Sequence, residues 1–396
     1  MSTVIQWCLE KMKQFRKIIF WLHLTAGVSA GIFIFMMCVT GALLSFQSNI
    51  LEFAEREMRF VEVPAQNNQP LAVREIIANV IEGKPNAKPS NITFKNDSTS
   101  AATIALGREG QLFVNPYTGA ITGEGAKGWR GFFRVVEDLH RWLAFSGDGR
   151  PIGKSINDAS NFLFLFLAIS GVYIWFPRRL AWQNFRSVLW FRSGLNGKAR
   201  NFNWHNTIGF WSSLVLIILT LTAVVISYQW AGNLVYTLTG NEVPQQQTPQ
   251  PTTPNQTVEQ PFAVPENLDE LWTKAENHTN WKTISLRFPV VRDTAVFTID
   301  EGIYRNIFGR STLTIDAKTA EIAKWEPYGE QNSGRRLRSW MRFTHTGETG
   351  GIVGKFIGFL ACIGGAFLVW TGLSLAWRRF RGWQAKSQSE VTTDDI

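Results

Sequence analysis

Histidine is the residue type in this 396-residue chain whose placement invites chemistry. There are five: His23, His140, His205, His278 and His345. His23 and His205 lie 182 residues apart in matching contexts, "LHLTAGVSAG" and "WHNTIGFWSS". His140 in "EDLHRWL" and His345 in "RFTHTGE" lie 205 apart, and each shortly precedes a long apolar run. His278, in the polar "ENHTN", reads as a solvated surface residue. Two imidazoles facing each other across a helix bundle suit the two axial positions of a haem iron. A flat ring also needs room. Gly27, Gly31 and Gly41 follow His23 at spacings of 4, 8 and 18, and Gly209, Ser212 and Ser213 follow His205 at 4, 7 and 8. Taken singly, each histidine reads equally as an ordinary interfacial residue, and small residues on spans mostly serve close packing. Their depth-matched pairing favours ligation: His23 with His205 on one iron, His140 with His345 on another. Copper or zinc fits less well, because a structural zinc wants four converging ligands.

These residues need elements to hold them. Four stretches, near 18–46, 155–177, 204–229 and 352–377, are long and apolar enough for a bilayer about 30 Å thick. The second is the weakest, with Asn157 and Asp158 near its start, and Lys355 near the start of the fourth is expected to snorkel to the interface. Seventeen tryptophans, many flanking the apolar runs, fit a membrane-interface belt. Basic residues concentrate in the tail before span one, the acid-free loop 178–203 and the flank after span four, with Arg378, Arg379 and Arg381, and the net charge is +9. That distribution places both termini and this loop in the cytoplasm, so the charge calls for no nucleic-acid partner. Segments 47–154 and 230–351 then lie outside, in a periplasm if the cell is Gram-negative. On this reading His23 and His205 form an inner pair and His140 and His345 an outer pair. The cysteines, Cys8, Cys38 and Cys362, form no disulfide framework, and the absence of C-x-x-C-H excludes c-type haem attachment. The first apolar run reads as a retained anchor, too long for a signal peptide.

The chain reads as a duplicated unit. At the 182 offset "TGALLSFQ" faces "TAVVISYQ"; at 201 "VNPYTGAI" faces "IDAKTAEI" and "SGVYIW" faces "TGLSLA". The drift comes from a Pro/Gln/Thr tract at 241–265, read as a flexible linker. The expected fold is therefore an α-helical membrane protein: four transmembrane helices in two parallel repeats, each repeat carrying an external α+β insertion. Each insertion opens with a helix (71–81; 267–278), and alternating stretches such as "TAVFTID" follow as strands. Arg130, Arg134, Arg141, Arg338 and Arg342 lie among aromatics beside the outer pair. They read as an interfacial amphipathic face, as partners for haem propionates or an anionic substrate, or as both.

The strings "WLHLTAGVSAG", "LFVNPYTGAITGE", "LHRWL", "NWHNTIGFW" and "THTG" resemble the PepSY-associated transmembrane helix family of bacterial inner-membrane proteins, over nearly the whole length. Members of that family are similar to ferric-siderophore reductases with two b-type haems. The resemblance implies a multi-pass protein of the inner membrane with PepSY-like periplasmic insertions. It also implies His23, His205, His140 and His345 as iron ligands, and electron transfer to a periplasmic ferric siderophore, releasing Fe(II). No G-x-G-x-x-G unit in Rossmann context and no flavin domain is evident, so the donor is expected to be quinol, a diffusing reductant or a cytoplasmic protein. No nucleophile or general base stands out. Competing readings are a haem subunit serving another redox partner, a non-enzymatic periplasmic regulator of the PepSY type, and, less well supported, a small transporter.

Overall fold

The computed structural model describes residues 2–394 apart from 67, 108–109, 178–181, 245–263, 291–292 and 305–307. Most of the 241–265 tract, with Arg178 and Arg179 of the basic loop, lies outside the described residues. In chain order the helices are α1 (Ser2–Leu44), α2 (Gln47–Ala54), α3 (Arg56–Arg59), α4 (Val73–Gly83), α5 (Lys127–Trp142), α6 (Arg150–Trp175), α7 (Trp182–Leu189), α8 (Gly197–Ser227), α9 (Gln229–Leu238), α10 (Leu268–His278), α11 (Ser333–His345) and α12 (Gly351–Asp394). The strands are β1 (Asn91–Lys95), β2 (Ala102–Ala105), β3 (Gln111–Val114), β4 (Ile121–Gly123), β5 (Thr283–Arg287), β6 (Thr294–Asp300), β7 (Ser311–Asp316) and β8 (Ile322–Glu326). They form two compact units: Met1–Phe46, Arg134–Val235 and Trp340–Ile396 in the first, Gln47–Phe133 and Tyr236–Ser339 in the second.

The first unit is helical. The helices α1, α6, α8 and α12 each contain a stretch long and apolar enough to cross a membrane. They outrun the apolar windows read from sequence, because a helix satisfies its own backbone and continues through good polar helix formers into water. Along α1, Val28, Ile32, Phe35, Val39 and Leu43 form an exposed stripe at helical spacing, a face suited to lipid. The opposite face turns inward: Ala30, Ile34, Met37 and Cys38 pack with Leu163, Phe164, Leu167, Ala366 and Val369. Both α1 and α8 pack against α6 and α12. The pair α1/α8 thus spans one diagonal of the bundle and α6/α12 the other. Their meeting point is Gly365, where an added Cβ would lie 2.6 Å from Cys38 Sγ, 3.3 Å from Phe164 Cζ and 3.5 Å from Leu216 Cδ2.

Two polar details differ from expectation. Lys355 does not reach out to solvent but is 9% exposed. Asp158, also buried, is met by Lys154, whose Nζ donates to it and to the Ser227 carbonyl at 3.1 Å. The polar start of the second span is therefore internal glue between α6 and α8.

The second unit is an antiparallel sheet of order β4-β3-β2-β1-β5-β6-β7-β8. Alternation puts Ile284 and Leu286 of β5, Ala295, Phe297 and Ile299 of β6, and Leu313 and Ile315 of β7 on one buried face. Helices α4 and α10 cover that core with the same i, i+3, i+4, i+7 set: Val73, Ile76, Ile77 and Val80 on α4, Leu268, Leu271, Trp272 and Ala275 on α10. Each such side chain contributes about 1.5–3 kcal/mol when fully buried. From sequence the two external segments read as separate insertions; their strands instead join through β1 and β5, from Asn91↔Arg287 to Lys95↔Thr283. Pairing removes two exposed strand edges and lets both segments share one core. The tight turns after β3 and β7 match as the strings suggest: Gly119 at φ +69° in one is replaced by Ala320 at φ +55° in the other.

Candidate functional site

The four histidines of the two pairs are half-buried in the first unit, and each directs Nδ1 at an acceptor on a spanning helix. His23 on α1 meets Ser170 Oγ of α6 at 2.8 Å, and His205 on α8 meets Thr371 Oγ1 of α12 at 2.9 Å. His140, in the last turn of α5, meets Thr40 Oγ1 of α1 at 2.8 Å. His345, closing α11, meets the Leu219 carbonyl of α8 at 2.9 Å and Thr222 Oγ1 at 3.3 Å.

Proton counting fixes the tautomers. A hydroxyl has one hydrogen. Thr40 gives its hydrogen to Met36 O at 2.7 Å, Thr371 to Phe367 O at 2.7 Å, and Ser170 to Leu167 O at 3.3 Å. Each can then only accept from the imidazole. The Leu219 carbonyl is an acceptor by nature. The Met37, Leu368 and Leu219 carbonyls accept from His140, His205 and His345 as well, so these three rings carry hydrogen on Nδ1 and a lone pair on Nε2, the arrangement that orients a histidine for a metal. His205 and His23 are close enough for a charge on one to be felt at the other, as are His140 and His345. Among the described residues, no group of three or more His, Cys, Asp or Glu converges as a metal cluster; the imidazoles come in twos.

Glycines stand against these rings, though not the expected ones. A Cβ on Gly171 would lie 3.5 Å from His23 Cε1, on Gly372 3.4 Å from His205 Cε1, and on Gly41 3.5 Å from His140 Cε1. By contrast Gly27 faces Leu167, Gly31 faces Leu373 and Gly209 faces Leu368, so these three let helices approach one another. Ser212 packs against Gly364, and Ser213 donates to Phe210 O. Sequence reasoning missed Ser170, Thr371, Thr40, Thr222 and the Leu219 carbonyl. The signal was present in "SGVYIW"/"TGLSLA" and "TGALLSFQ"/"TAVVISYQ", where a hydroxyl residue precedes a glycine or alanine at each matched position.

The arginines separate. Arg130 is committed elsewhere: its Nε and Nη2 bond to Oε1 and Oε2 of the fully buried Glu55 at 2.5 and 2.9 Å. Glu55 also accepts from Arg59 at 2.8 Å, the Ala126 N–H at 3.1 Å and Gln111 at 3.2 Å. Burial works to raise the Glu55 pKa, but the bonds from Arg130, Ala126 and Arg59 outweigh it and hold the carboxyl below its usual range. Arg130 therefore anchors the first turn of α5 and is not available to an anion. Arg141 pairs with Glu137 at 2.8 Å and lies over Trp142. Arg134, Arg338 and Arg342 are exposed. His278 is not simply solvated: it stands edge-on to Trp325, centroids 4.6 Å apart.

The PepSY-associated TM region matches residues 20–379. The chain belongs to this family. The match runs from just before His23 to past Gly372, so all four Nδ1-anchored histidines of this PepSY-associated protein lie within it. No curated protein matches the chain.

Proposed function

We propose that this protein carries two haem b groups and passes electrons through the bacterial inner membrane to reduce a periplasmic Fe(III)-siderophore, releasing Fe(II). One observation carries the reading: four histidines, in two pairs whose members are close enough to sense each other's charge, each direct Nδ1 at an acceptor on a spanning helix. The residues fit the group. Its iron takes two neutral imidazoles, and glycine against three of the rings lets each imidazole lie close to the helix beside it. His23 and His205 would hold one iron, His140 and His345 the other. When bound, the haem supplies one-electron chemistry. The chain's part is to fix the imidazoles, keep the space between the levels dry with Ile34, Met37, Cys38 and Phe164, and wall the centres from lipid. The substrate is the chelated iron itself: hard oxygen ligands hold Fe(III), and Fe(II) is released on reduction.

The same reading includes duplication. Support comes from Thr40 and Thr222 at the 182 offset, and from Ser170–Gly171 and Thr371–Gly372 at 201, which do matching jobs in the two halves. It also includes inner-membrane placement with cytoplasmic termini, periplasmic insertions, and a quinol or cytoplasmic electron donor. The test is a dithionite-reduced spectrum of the purified protein with single His→Ala variants. Two low-spin b-type centres are expected in the native protein and one in each variant. Both centres persisting in all four variants, or a haem-free preparation from haem-replete cells, overturns the proposal; the second result favours a regulatory role.

A further inference from the structure

Two short helices each follow a span closely. Ser45 and Phe46 separate α1 from α2, and Tyr228 alone separates α8 from α9. At the 182 offset that sets "TGALLSFQ" against "TAVVISYQ", Ser48, Glu52 and Arg56 face Trp230, Leu234 and Leu238. All six side chains are exposed, but their chemistry is opposite. Trp230, Leu234 and Leu238 step by four, so they share one side of α9, and they are 56%, 46% and 76% exposed. Between Arg200 and Glu242 the chain has no Asp, Glu, Lys or Arg, so α9 carries no charge. On α2 the one large apolar residue so exposed is Phe53, and the Arg56 guanidinium lies over its ring, 4.8 Å from the centroid.

The apolar stripe belongs to a well-formed helix. Its other side is buried at Ala231, Val235 and Tyr236. Tyr236 packs so closely on Gly334 that an added Cβ there would lie 2.5 Å from its Cδ1. The end is closed too: Gly240, at φ +70°, donates its N–H to Thr237 O at 3.1 Å, and Asn241 donates to Tyr236 O at 2.9 Å. These two bonds satisfy the last carbonyls and stop the helix cleanly. Trp230, Leu234 and Leu238 are therefore held outward. The stripe also continues a span surface. Tyr228 stands 6.0 Å from the Trp230 ring and 6.4 Å from that of Phe162, an exposed residue of α6, while α8 exposes Leu214, Ile218 and Leu221.

We infer that α9 is an in-plane membrane anchor, with Trp230, Leu234 and Leu238 set into lipid at the end of α8 far from His205, whereas α2 sits in water. The occupant is lipid because the stripe runs on from the exposed apolar faces of two spanning helices and brings no charge that would have to be desolvated. Tryptophan at that junction suits the boundary, its ring apolar and its N–H able to meet headgroups. Interfacial helices bury one apolar face and keep a polar one; here the protein covers the second face instead, and the exposed Gln229 and Thr237 supply the polar margin. A docked protein would want a polar or charged rim, and α9 has no charged residue to form one. The chain thus leaves the membrane abruptly after α1 and gradually after α8. None of this depends on haem.

The experiment places an environment-sensitive fluorophore on the full-length protein in phosphatidylcholine vesicles. Leu234→Cys and Leu238→Cys report on α9, and their counterparts Glu52→Cys and Arg56→Cys on the first exit. Each is made in a Cys8→Ser, Cys362→Ala background, which without an added cysteine gives the blank, Cys38 being buried. Nitroxide-labelled phosphatidylcholine is expected to quench the probe at 234 and 238 severalfold more than iodide does, and the order is expected to reverse at 52 and 56. Iodide quenching at 234 and 238 as strong as at 52 and 56 puts the stripe in water and overturns the inference. Protection of 234 and 238 from both quenchers means that a second copy or another protein covers α9, and overturns it equally. Lipid quenching of the same strength at all four positions removes the contrast between the two exits and with it the inference.

Discussion

In the first pair, which the proposal puts at the inner level, the imidazoles grow from the spans: His23 from α1 and His205 from α8, each more than a turn inside a helix of over thirty residues. At the outer level they come from the last turns of α5 and α11, helices of 16 and 13 residues. The acceptors differ too. His23 rests on the Ser170 hydroxyl alone, whereas a backbone carbonyl helps to hold each of the others: Leu368 for His205, Met37 for His140 and Leu219 for His345. Ring placement at the inner level is set by two long helices that pack along their lengths. At the outer level it depends on short helices that must themselves be anchored, as α5 is by Glu55. One pair thus grows from two long spanning helices and the other from the last turns of two short ones.

This comparison can be broken in three ways. The largest effect is expected from Gly372→Leu, which places a branched side chain against the ring of His205. Haem content per chain should fall from two to one with the outer centre retained; loss of both, or of neither, would mean the levels are not independent. Next, on the di-haem reading, Ser170→Ala should weaken retention of the haem held by His23 by about 10–100-fold, the usual cost of removing a partner that orients a metal-bound histidine. Thr222→Val should change the outer level little, because the Leu219 carbonyl remains. Haem dissociation measured by transfer to an apoprotein acceptor checks both, and equal losses would erase the distinction drawn between hydroxyl and carbonyl anchoring.

The smallest effect concerns the anchor of α5. The Glu55 pKa is depressed in the folded protein, so the stability it contributes is complete above the ordinary glutamate value, about 4.3, and is lost as pH falls through the lower native value. Glu55→Gln should therefore lower stability at neutral pH and flatten its dependence on pH below the ordinary glutamate value. Thermal melts across that range should show the two proteins converging as the medium becomes acidic.

Much of the helical frame was legible because the spans are long and strongly apolar, and α4 and α10 because their buried faces keep helical spacing. The histidines the structure gathers in its helical unit, His23, His140, His205 and His345, were singled out by internal matching of strings. What escaped were relations between distant residues. Ser170 and Thr371 look like ordinary small span residues until the imidazoles of α1 and α8 are placed beside them. Gly27 and Gly209 shared a plausible face with the histidines, but each imidazole leans toward its neighbouring helix, so the glycines beside His23 and His205 are on α6 and α12. Arg130 looked free because Glu55, its partner, lies 75 residues away. The pairing of β1 with β5 carries no local mark, since an antiparallel edge accepts any strand of compatible register.

That last pairing has a consequence for the continuity of the chain. Residues 1–244 and 264–396 are bound to each other without the intervening tract: β1 zips to β5, and α12 packs on both α1 and α8. A protease cut inside 245–263, or synthesis as two polypeptides broken there, should yield fragments that co-purify as a stable heterodimer. The tract's peptide bonds are then dispensable to assembly, and its sequence is free to drift.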